Sequence, residues 1–134
     1  YKDDVGTLWC LAQIFNIDYI FTIGQRYKWQ PTDTPKTTRH IPLFYYKDWK
    51  DFVEHKPDNA DIVLVEQSDK HQLGDFSHPK QAIYVLGSED KGIPEKYFKN
   101  NIVLNIPSNN TCSLNVAVAG SLVLFDRFQN QNEK

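Results

Sequence analysis

Two segments in which an apolar strand stops abruptly at a polar loop constrain this chain more than any other feature. Residues 82–94 read AIYVLGSEDKGIP, so Ile83, Tyr84, Val85 and Leu86 run up to Gly87 and are followed at once by Ser88, Glu89, Gly92 and Pro94. Residues 102–128 read IVLNIPSNNTCSLNVAVAGSLVLFDRF: a second strand ends at Ile106-Pro107, a polar loop follows, and Ser113-Leu114-Asn115 opens a helix running to about Phe128. Strands apolar on both faces that alternate with helices imply a parallel sheet covered on both sides, and hence an α/β fold. In such open sheets, ligands bind in the crevice outside the carboxyl ends of the strands. Both polar loops sit at such ends.

The rest of the chain fits that class. Tyr19–Ile23, Leu43–Tyr46 and Asp61–Val65 read as strands, and Val5, Leu8, Leu11, Ala12 and Phe15 fall at helical spacing with Asp4 as N-cap. Lys47–His55 reads as an amphipathic helix with Trp49, Phe52 and Val53 inward, and a short helix follows Pro94. Gln25–Arg39 is a polar loop carrying Pro31 and Pro35, and Glu66–Lys80 is a second polar connection. A loop as long as the first is usually functional or disordered.

At 134 residues the chain is expected to form one domain, residues 1–134, and its start at Tyr1 rather than Met suggests a piece lacking an N-terminal strand. The longest apolar run, Val116–Phe125, is interrupted by Gly120 and Ser121 and falls short of a membrane span. Cys10 and Cys112 make neither a disulfide framework nor a zinc motif, which favours the reducing cytoplasm. His40, His55, His71 and His78 show no ligand spacing, so no metal is expected. There is no G-x-G-x-x-G after any strand, which speaks against a dinucleotide-binding oxidoreductase. A net charge of −2 argues against broad, sequence-blind nucleic-acid binding but leaves room for a local basic patch.

The pair LGSEDKGIP and IPSNNTCSLNVAVAGSLVLFDR closely resembles the last two motifs of the TrmH-like ribose 2′-O-methyltransferases, in the SPOUT class of S-adenosylmethionine-dependent RNA methyltransferases. The resemblance extends through VGTLWCLAQIF and FTIGQRYKWQPTDTPKTTRHIPLF. It implies a C-terminal trefoil knot holding the methyl donor, a tRNA or rRNA substrate, and a homodimer formed through the terminal helices. It places the Gly87 backbone against the methionyl or ribose part of the donor, with Ile106, Leu114 and Ser113 around it and Val65 as a further wall. It puts Glu89 and the Ser113–Asn115 pair in the active site. The plainer roles are a turn glycine, a carboxylate that accepts from its own loop, and a helix cap. Arg26, Lys28 and Arg39, with Tyr27 and Trp29 interleaved, would meet RNA by pairing with phosphate and stacking on unpaired bases, unless they form an ordinary solvated loop.

The N-terminal motif departs from the family. Where its members carry an asparagine and, six residues later, an arginine that helps activate the ribose hydroxyl, this chain has Asp4 and Cys10. Arginine offers five donors in a rigid fork suited to phosphate, and a thiol is a weak donor with a pKa of about 8.5. Two readings follow: an enzyme with an altered activating position, or a non-catalytic RNA- or donor-binding relative.

Overall fold

The computed structural model describes residues 15, 17–24, 41–87, 92–109 and 115–132. The chain divides into two compact units, residues 1–57 and 58–134. The expected N-terminal helix and the Gln25–Arg39 loop lie outside the described residues.

In the first unit, β1 (Ile20–Ile23) pairs in parallel with β2 (Leu43–Tyr46), with Ile20 opposite Leu43. Helix α1 (Trp49–His55) follows. It begins at Trp49 rather than Lys47 because Asp48 caps it, accepting from the Asp51 N–H at 2.9 Å. The Asp51 carboxylate reaches back to the Lys47 N–H at 2.7 Å. Phe52 is fully buried, stacked on Phe21 at 5.0 Å with Tyr46 edge-on at 5.3 Å. Val53 was expected inward, but it is 43% exposed. One residue past Phe52, it lies about 100° further round the helix and off the narrow stripe that meets the strands.

The second unit is a four-stranded sheet in the order β4–β6–β3–β5, formed by β3 (Asp61–Val65), β4 (His71–Gln72), β5 (Ala82–Leu86) and β6 (Ile102–Asn105). All its pairings are parallel. Consecutive residues of a strand point to opposite faces. Val63, Leu64 and Leu104 are fully buried and Val103 nearly so, so the central strands are covered on both sides. Val123 of the terminal helix α2 (Val116–Asn132) packs with Val63, Val65, Leu104 and Phe76 on one of those faces.

Strand β4 is an unexpected pair of residues within the Glu66–Lys80 connection. Gln72 holds it to β6 by accepting from the Asn105 amide at 2.7 Å. The short helix after Pro94 is a single 3-10 turn, Glu95–Tyr97. No helix among the described residues is long and apolar enough to cross a membrane.

Candidate active site

The sheet register brings three of the expected site residues to one edge. Val65, the last residue of β3, lies opposite Leu86 of β5 on one side and Leu104 of β6 on the other. Gly87 directly follows Leu86, and Ile106 lies two residues past Leu104. After β5 the chain crosses to the far side of β3 before forming β6. That crossing is the kind of switch point at which α/β sheets open a ligand crevice. Gly87 and Ile106 are half-buried and keep solvent contact at this edge, whereas the Val65 side chain is 9% exposed and belongs to the core cluster.

Gly87 has no room for a side chain. A Cβ there would lie 2.8 Å from the Gly92 carbonyl carbon, 2.9 Å from its Cα and 3.0 Å from the Ile93 nitrogen. The close approach that requires glycine is therefore made by the returning end of its own loop. Gly92 has φ +65°, a conformation that side-chain-bearing residues rarely adopt. A Cβ at Gly92 would also fall 2.5 Å from a Glu66 carboxylate oxygen. Glu66, just past β3, accepts the Ile93 N–H at 2.9 Å through that oxygen, Oε2.

Asn115 stands immediately before α2, and its side-chain oxygen accepts from the Ala117 N–H at 2.8 Å and the Val118 N–H at 3.3 Å. The helix was expected to open at Ser113. It begins at Val116, and Asn115 caps it. Asp4, Cys10, Arg26, Lys28, Arg39, Glu89, Ser113 and Leu114 lie outside the described residues.

A polar network absent from the sequence reading ties α2 to the sheet. His78, 3% exposed, contacts the Tyr84 hydroxyl through Nδ1 and the Asp126 carboxylate through Nε2, each at 2.6 Å. Because a carboxylate only accepts, the Nε2–H of His78 donates to Asp126. Arg127 donates to the Tyr84 hydroxyl at 3.0 Å and to the Pro79 and Lys80 carbonyls at 2.7 and 2.8 Å. Burial pushes the Tyr84 phenol pKa up, and the neighbouring guanidinium pulls it partly back. Among the described residues, no group of three or more His, Cys, Asp or Glu could hold a metal ion.

Residues 2–125 match the SpoU rRNA Methylase family. The chain belongs to that family. A Lactococcus lactis subsp. cremoris protein named as a tRNA (cytidine(34)-2′-O)-methyltransferase is 24% identical over 98 residues, covering 68% of this chain and 58% of that protein. This chain thus spans a little over half the length of that relative. Among solved structures, the A. aeolicus TrmH/SpoU tRNA modifying enzyme superposes with a TM-score of 0.83 at 18% identity, over 99% of this chain and 71% of that one. The AdoMet-bound rRNA methyltransferase from Sinorhizobium meliloti gives 0.80 at 19% identity, over 97% of this chain and 52% of that one. At these identities the likeness establishes the fold: the parallel strands flanked by helices are those of the TrmH/SpoU structures.

Proposed function

We propose that this SpoU family member transfers a methyl group from S-adenosylmethionine to a ribose 2′-hydroxyl of tRNA or rRNA. In this reading, residues 1–134 act as one methyltransferase domain in a cytoplasmic homodimer, and the C-terminal segment is knotted around the donor. The observation that carries the reading is the convergence of Val65, Gly87 and Ile106 at the carboxyl edge of a parallel sheet, at its switch point. The edge suits the donor in that Gly87 and Ile106 both keep solvent contact there.

Bound at this edge, S-adenosylmethionine supplies an electrophilic methyl on a positively charged sulfur. The chain's own task is placement, since aligning two reactants removes much of a barrier of this kind. Gly87, Ile106, Ser113 and Leu114 would hold the donor, with Val65 as a further wall. Arg26, Lys28 and Arg39 hold the RNA backbone. As the new O–C bond formed, the methyl–sulfur bond would break to leave neutral S-adenosylhomocysteine and the ribose hydroxyl would give its proton to solvent; Glu89, Ser113 and Asn115 are the polar groups assigned to orient it. Asp4 and Cys10 occupy the two N-terminal positions of the activating motif. A second reading, a non-catalytic RNA- or donor-binding relative, rests on Asp4 and Cys10, because a thiol cannot replace the fork of an arginine.

Incubation with methyl-labelled S-adenosylmethionine and total RNA, followed by nucleoside analysis, tests the assignment. A labelled 2′-O-methyl nucleoside is expected. Cys10→Arg should lower the barrier by about 2–4 kcal/mol, the scale of one transition-state donor, and Cys10→Ala should change little. Label on a base would contradict the reading. No transfer by either the wild type or Cys10→Arg, with S-adenosylhomocysteine still bound, would establish the second reading instead.

A further inference from the structure

Glu66 places a carboxylate at the end of the apolar run IVLV (Ile62–Val65), and its hydrogen bonds among the described residues lie at the candidate edge. Its N–H donates to the Leu104 carbonyl of β6 at 3.1 Å. One carboxylate oxygen accepts from the Gln67 N–H at 3.0 Å and the other from the Ile93 N–H at 2.9 Å. One residue of β3's end therefore grips β6 on one side and, on the other, the end of the loop that leaves β5. The two loop glycines fit this grip. Gly92 leaves room for the carboxylate, and Gly87 leaves room for the Gly92–Ile93 backbone that the carboxylate holds. Hydrogen bonds to an ionised acceptor are about twice as strong as neutral ones, so this clasp outweighs an ordinary loop contact.

Resting on the donor-binding reading above, we propose that Glu66 is a positioning residue that holds the Gly92–Ile93 main chain against Gly87 and so sets the shape of the donor pocket beside it. It touches neither donor nor RNA in this role. It acts through the main chain of Gly92 and Ile93, which fixes where Gly87 lies.

Calorimetric titration of the whole chain with S-adenosylhomocysteine tests this, using wild type, Glu66→Gln and Glu66→Ala, with thermal melting run on each. Loss of one charge-assisted bond corresponds to about ten-fold or more in affinity. Glu66→Ala should weaken binding by that factor. Glu66→Gln should recover most of it, because its amide oxygen still accepts from Ile93, yet remain measurably weaker than wild type. In turnover, the KM for S-adenosylmethionine should rise, while kcat at saturating donor and the KM for RNA stay near wild type. If Glu66→Ala does not fold, Glu66→Gln decides, since its side chain fills the same space. Wild-type affinity in a folded variant, or a fall in kcat with the donor KM unchanged, would overturn the proposal. A wild-type chain that binds no S-adenosylhomocysteine would overturn the donor reading itself, and the role of Glu66 with it.

Discussion

Asn115 shows how one side chain can satisfy a structural account and still leave a chemical one open. Its oxygen is committed to the first N–H groups of α2. Asn115→Ala should therefore cost about 1 kcal/mol of stability, the usual value of an N-cap, read by thermal melting. Asn115→Asp keeps the capping oxygen and removes the amide, so it separates the two roles. Its melting temperature should stay near wild type while methyl transfer falls about ten-fold or more, a loss of the order of one hydrogen bond in the transition state. Full activity in Asn115→Asp would reduce the residue to a cap. Gly87 offers no such separation. Any side chain there would strike the Gly92–Ile93 backbone, so Gly87→Val would disturb the loop whether or not a ligand lies beside it.

Among the elements, the terminal helix depends on more than apolar packing. His78 bridges Tyr84 of β5 and Asp126 of α2, and both its partners are largely buried. His78→Ala would leave the Tyr84 hydroxyl and the Asp126 carboxylate each short of a partner, although Asn130 still donates to Asp126 at 3.3 Å. We expect a loss of about 2–3 kcal/mol, measured by denaturant unfolding, since one buried polar group left unsatisfied costs about 1–3 kcal/mol. A loss under about 0.5 kcal/mol, the size of an ordinary surface change, would mean that the network contributes little. The sequence could not show this network, because His78 and Asp126 lie 48 residues apart and meet only through the fold. Strands were legible where apolar runs were continuous: Asp61–Val65 and Leu43–Tyr46 match residue for residue. The strand at His71–Gln72 was not legible, because its residues are polar and it is held by a Gln72–Asn105 side-chain bond. Glu66 left a weak signal, a charge placed directly after a fully apolar run. Its partner at Ile93 is set by a loop return that no local spacing encodes.

At the scale of the whole molecule, α2 carries apolar residues on two faces. Val123 is buried in the core, whereas Val118, Leu122 and Phe125 are 46%, 42% and 51% exposed at spacings of four and three. Those spacings line one side of a helix. A bare apolar stripe of this kind supports the homodimer reading, in which two copies of α2 meet about a two-fold axis. Light scattering should return a dimer mass for the wild type at micromolar concentration and a monomer mass for Leu122→Glu. A wild-type monomer would remove the stripe from the account. The central claim is that the methyl donor sits at the carboxyl edge of β3, β5 and β6. Amide chemical-shift mapping on titration with S-adenosylhomocysteine tests it most directly. The largest shifts are expected at Gly87, Ile93 and Ile106, with the β4 edge little changed. Saturable binding that leaves those three amides unmoved would contradict it.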